Sequence, residues 1–178
     1  MAVSQINNAS LASGVPSAAK LPAGSVLQVV NSIKTSAQST TSTSYVDITD
    51  LSVTITPTSS TSKILVMARI NNISNSLDYG TFINLLRGST TLTSSTAGGV
   101  ADTKDAWASG GGGMGGTGNS RQKSSCAIDY LDSPATTSPT TYKMQMVADG
   151  GSTATVNQWA LNTDVASVSS ITVMEIAA

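Results

Sequence analysis

The chain has 178 residues, 39% of them hydrophobic but only 4% aromatic, with 11% charged side chains and a net charge of −1. Charge this sparse leaves no basic stripe able to neutralise phosphates, which argues against nucleic acid as a partner. The length fits one domain with a short appendage, and the single cysteine, Cys126, excludes a disulfide within the chain.

A chain of this size buries roughly 70% of its unfolded surface on folding, enough for a core without metal or disulfide. With so few large rings the core must be lean, so contacts between copies are expected to supply burial that one copy lacks. Ser and Thr make up about 30% of the residues, a bias toward strands and turns. Repeated apolar runs set the chain apart from disordered sequences, which couple low hydrophobicity to high net charge. Met1–Ser10 lacks the basic start and continuous apolar segment of a signal peptide, and no stretch approaches a membrane-spanning length. Synthesis in a reducing cytosol and no membrane insertion are therefore expected, with Cys126 as a small buried hydrophobe rather than a reactive thiol.

Residues 1–24 carry Ile6, Leu11, Val15 and Leu21 too widely spaced to define a helix face or a strand face. They read as an extended arm, either a frayed terminus or a peptide whose single hydrophobes lie in a groove of a partner. Residues 25–178 then form the folded domain.

From Val26 onward short β-type runs follow one another: Val26–Ile33, Tyr45–Thr56, Lys63–Ile73 and Thr81–Leu86, each bounded by turn-forming residues. In the second run Val46 and Ile48 share one parity while Leu51, Val53 and Ile55 share the other, so a bulge or tight turn near Thr49–Asp50 is needed to return both sets to one core. Ile64–Met67 is apolar on both parities, which predicts a strand covered on both faces, by a second sheet and by a neighbouring subunit.

The next stretch is glycine-rich: Trp107 precedes Gly110, Gly111, Gly112, Gly113, Met114, Gly115, Gly116 and Gly118. It lacks the Lys-Ser/Thr ending and the strand-to-helix setting of a phosphate loop. Two readings stand, a flexible inter-strand loop, or a close backbone approach at a trimer axis or receptor with Trp107 as a stacking face. Later strands are expected at Ser124–Leu131, Thr141–Ala148, Thr153–Leu161 and Ser170–Ile176; in the second of these Tyr142, Met144 and Met146 alternate with Lys143 and Gln145, giving one wet face. Pro57 and Pro139 sit where a turn or a strand start tolerates them. No convincing helical period appears. The fold class expected is all-β, an antiparallel β-sandwich of jelly-roll type preceded by the arm.

Chemistry is limited by subtraction. There is no histidine, so Ser–His and Cys–His pairs and histidine metal sites are excluded. A carboxylate pair could in principle cleave a glycosidic bond, but few aromatic platforms are available for sugar. Asp102 and Asp105 read as a solvated loop, and Asp129 and Asp132 lack the dense oxygen spacing of a calcium site. No enzyme activity, cofactor or metal is expected.

Leu21–Val30 (LPAGSVLQVV), Thr41–Ile55 (TSTSYVDITDLSVTI) and Ser59–Met67 (SSTSKILVM) resemble the opening of a domain recurrent in tail-fibre and other virion structural proteins of bacteriophages. Tyr130–Met146 and Ser169–Ala178 resemble its later hairpin and closing strand. The resemblance implies a small jelly-roll-like sandwich, homotrimeric, on a tail, head fibre or capsid appendage at the virion surface. Three functions are then expected in descending order: a trimeric fibre or spike for host attachment, a capsid decoration or cement subunit, and a glycan-depolymerising spike. The implied partners are other virion proteins through residues 1–24 and a glycan or protein of the host surface.

Overall fold

The computed structural model describes residues 21–75, 80–92, 108–110, 124–148, 152–159 and 162–178. Within them lie strands β1 (Val26–Lys34), β2 (Gln38–Thr40), β3 (Val46–Ile55), β4 (Lys63–Asn75), β5 (Thr81–Arg87), β6 (Thr90–Thr91), β7 (Ala108–Gly110), β8 (Ser124–Asp132), β9 (Thr140–Ala148), β10 (Ala154–Val156), β11 (Gln158–Trp159), β12 (Asn162–Ala166) and β13 (Ser169–Ile176). No helix occurs among the described residues.

Apart from β11 and β12, which pair with each other in a small sheet of their own, the strands form two antiparallel layers. The first sheet runs β1–β13–β4–β8, with β10 and β2 extending it beyond the end of β13; the second runs β3–β9–β5, with β6 and β7 on the far edge of β5. Along the chain β1, β3, β4 and β5 alternate between the layers, β5 and β7 share one, and β8, β9 and β13 alternate again. That order is the jelly-roll winding of two Greek keys. It arises because strands neighbouring in sequence mostly cross between layers, so apart from the β5–β6 hairpin the pairings within a layer join strands distant in sequence.

Alternation within each strand builds the core. Ile64, Val66, Ala68 and Ile70 of β4, with Ile171 and Val173 of β13 and Ile128 of β8, face Ile48, Leu51, Val53 and Ile55 of β3, Tyr142, Met144 and Met146 of β9, and Ile83 and Leu85 of β5. All are buried. The phase change in β3 is a bulge: the β3–β9 register shifts between Asp47 and Ser52, Asp50 takes a φ of 64°, and Ile48 and Leu51 both reach the core. A second bulge lies at Asn72 of β4, where φ is 46° and the register with β8 shifts between Ile70 and Ile73. Between β5 and β6 a two-residue hairpin turn carries Gly88 at φ 58°, the left-handed conformation such turns require.

The expected single strand Thr153–Leu161 is divided. Asn157, fully buried with φ 61°, separates β10 from β11. Its side-chain amide donates to the Lys34 and Ser36 carbonyls at 2.8 and 3.2 Å, its carbonyl oxygen accepts from the Ser169 hydroxyl, and its backbone N–H donates to Asn71. Asparagine tolerates the left-handed region and carries both a donor and an acceptor, so one residue closes the gap where β1 passes into β2 and β13 gives way to β10.

Candidate functional site

Side chains that carry chemistry fall into three groups. On the inner side, Asp132 of β8 accepts two bonds from the Arg87 guanidinium at 2.8 Å and one from the Tyr142 hydroxyl at 2.6 Å. Arg87 and Tyr142 are cross-strand partners in the second sheet, so this carboxylate ties the two layers together. Tyr142 is fully buried, and burial, reinforced by its bond to the carboxylate, pushes its hydroxyl far above the usual tyrosine range. It is a fixed donor and not a proton-transfer group.

At the sandwich end where the chain enters β1, Glu175 of β13 is fully buried. Burial alone would raise its pKa, but donors from Gln28, Ser62 and Thr58 outweigh it and hold the carboxyl below its ordinary value. The Gln28 amide lies 2.6 Å away, and the Thr58 N–H and hydroxyl lie at 2.7 and 2.8 Å. With its lone pairs so occupied, Glu175 anchors the β3–β4 connection to the first sheet. Beside it is a pocket of about 250 Å³ lined by Leu21, Leu27, Thr58, Ser59, Thr61 and Ala177.

The third group faces outward. On the second sheet Asp47 receives Lys143 at 2.9 Å and Gln145 at 2.7 Å, and these two bonds, against a smaller opposing effect of burial, hold its carboxyl below the usual value. Thr54 and Thr141 share a hydroxyl bond of 2.7 Å on the same surface. On the first sheet the outward face carries a row of Cα partners, Val29, Met174, Leu65 and Leu131, one from each strand.

Gly110, the last residue of β7, pairs with Thr81 of β5. Trp107, Gly111, Gly112, Gly113, Met114, Gly115, Gly116 and Gly118 lie outside the described residues, as do Ile6, Leu11 and Val15 of the arm and Asp102 and Asp105. Leu21 is described: it is 36% exposed and lines the end pocket, close to where Gly24 and Ser25 bond the backbone of Ala177. Asp129 and Asp132 have opposite parity on β8 and point to opposite sides of the sheet, so they do not converge on an ion. Among the described residues no three acidic or cysteine side chains come together as a metal site. Cys126 faces inward against the core, and burial pushes its thiol up to about 11, which disfavours the reactive thiolate.

Two roles escape a reading of the sequence alone, those of Asp132 and Glu175. Glu175 leaves a trace in the sequence, an acid on the same parity as Ile171 and Val173. Asp132 leaves none, because its partners come from β5 and β9.

The class these observations define is an antiparallel jelly-roll sandwich whose inward polar groups are spent on tying layers and connections together. A scan against protein-family models and a search of curated proteins returned no match.

Proposed function

We propose that this chain is a non-enzymatic structural protein of a bacteriophage particle, a small homotrimeric fibre or spike that presents a surface for host attachment. Residues 1–24 dock it to other virion proteins, and the segment Gly110–Gly118 meets a glycan or protein of the host. The observation that carries this reading is where the resembling strings fall. Leu21–Val30 reaches the middle of β1, Thr41–Ile55 holds β3, Ser59–Met67 runs into β4, Tyr130–Met146 covers the end of β8 and most of β9, and Ser169–Ala178 holds β13. The strings that carry the resemblance therefore fall on strands of both sheets, which supports reading them as one domain.

Physical features support it. Jelly rolls serve repeatedly as capsid and lectin domains, although a fold does not dictate a role. The acidic groups described at short range are engaged in structural bonds, and a chain without histidine has few routes to nucleophilic catalysis.

Gold-labelled antibody on intact virions tests the assignment. Labelling of a tail or fibre is the expected result. Labelling spread over the shell would replace it with the capsid decoration reading, and virions that take no label would sink both. Deleting Gly110–Gly118 is expected to abolish adsorption while particles still assemble.

A further inference from the structure

We infer that the outward face of the β1–β13–β4–β8 sheet is buried against another copy of this chain. The inference deepens the assembly half of the proposed function and does not depend on where on a particle the protein sits.

The face is apolar where the sheet register makes it continuous. Val29, Met174, Leu65 and Leu131 are consecutive cross-strand partners, so their side chains project from one side in a straight row. The outer two are 53% and 58% exposed, and neither Met174 nor Leu65 between them is fully buried. Beyond this row the face is mixed: Met67 stands with Asn31, Thr172 and Asp129 in the next row, and Ile33, 55% exposed, with Ser170 and Arg69 in the one after. A β-branched or long apolar side chain on each of four adjacent strands is not what a solvated sheet face carries.

Size and the position of the apolar row point to a second copy as the occupant. Four strands about 4.8 Å apart and four rows about 6.8 Å apart give a face on the order of 400 Å² in projection. With side-chain relief included, two such faces remove on the order of 1,000 Å² from water, the threshold for specific association. Lys63 and Arg69 stand at opposite ends of the face on β4, and Asp129 stands at the β8 edge. A symmetry axis parallel to the strands keeps every row level, so the apolar row meets itself, Leu131 lies by Val29 of the next copy, and Asp129 lies by Asn31. A two-fold axis across the strands through the centre of the face would instead set the apolar row upon Asn31, Thr172, Met67 and Asp129. Three copies also fit: a triangle with sides of about 19 Å has its centre about 5 Å from each face, half the usual sheet-to-sheet distance of about 10 Å.

The test uses charge at positions 29 and 131. Within one copy these side chains lie three strand spacings apart, roughly 14 Å, too far to pair with each other. The wild-type chain at micromolar concentration is expected to show a light-scattering mass that is a small multiple of 18.0 kDa. Val29→Lys with Leu131→Lys should lower it to one chain while leaving the circular dichroism spectrum of the sheet unchanged. Val29→Lys with Leu131→Glu should restore the multiple, because opposite charges then meet between copies. A monomeric wild type overturns the inference and the assembly half of the proposed function together. An assembled wild type whose mass neither pair changes overturns this face alone, since copies then associate elsewhere. Should the double-lysine chain fail to fold, Val29→Cys with Leu131→Cys under mild oxidation decides: covalent multimers beyond those of the wild type support the face, and their absence refutes it.

Discussion

On the β3–β9 surface the outward side chains include Asp47, Ser52, Thr54, Thr141, Lys143 and Gln145; an ion pair and a hydrogen bond join Asp47 to Lys143 and Gln145, and Thr54 bonds Thr141. On the β1–β13–β4–β8 surface the corresponding central row is Val29, Met174, Leu65 and Leu131, and it joins nothing within the chain. The second sheet does carry outward apolar groups, Phe82, Leu86 and Val147; Phe82 is half-buried and the other two are only 6% and 1% exposed. A sandwich requires each sheet to bury one face. What it does with the other is free, and here one sheet pairs most of its outward polar groups while its partner leaves one apolar row exposed among polar ones, the pattern of a surface awaiting contact.

The sharpest probe of this contrast uses two neighbours on β4. Ile64 points into the core and Leu65 out of it, so Ile64→Ala is expected to destabilise by about 2–5 kcal/mol in urea unfolding. Leu65→Ala, measured in the Val29→Lys, Leu131→Lys background so that association does not contribute, should cost less than about 1.5 kcal/mol. Equal effects would mean that Leu65 is already a core residue of the single copy.

The tie between the layers comes next. Asp132→Ala strands the buried Tyr142 hydroxyl and the Arg87 guanidinium, an expected loss of about 2–3 kcal/mol, while Tyr142→Phe removes one bond of the three and should cost about 1 kcal/mol. Urea midpoints of the two variants check the ratio. Neither change should alter the assembled mass.

Acid titration separates a buried carboxylate from an exposed one. The folded-state pKa of Glu175 lies below its unfolded value, so its contribution is full above the ordinary glutamate range and is lost as pH falls through the folded value. Thermal midpoints of the wild type should fall in that acidic window, and Glu175→Gln should flatten the decline. Asp47 is shifted in the same direction by Lys143 and Gln145, but its side chain is 53% exposed and solvent screens the pair. Asp47→Asn is accordingly the smallest expected effect, under about 0.5 kcal/mol and smaller still in high salt. A larger loss would show the polar face to be more than a solvated surface.

Much of this molecule is legible in its sequence, for a local reason. Side chains alternate with a period of two, so Tyr142, Met144 and Met146 announce one buried face, and the broken phase between Ile48 and Leu51 announces the bulge at Asp50. The interruption at Asn157 is not legible in the same way. Ala154 and Val156 continue an ordinary strand pattern, and only the meeting of β1, β4 and β13 around that residue makes a buried left-handed asparagine favourable.

Sequence by itself thus determined the all-β class, most strand positions, the inward parity of each and the exclusion of histidine chemistry, because these depend on residue identity and on nearest neighbours along the chain. Tertiary structure alone decided which strands adjoin and in what register. Leu65 belongs to a run that the sequence already shows to be apolar on both parities, but the row it joins exists only because β13 and β8 bring Met174 and Leu131 level with it, and Val29 follows on β1. Cross-strand register is a property of pairs distant in sequence, and so are the two features that rest on it: the bond of Asp132 across the layers and the apolar outer row.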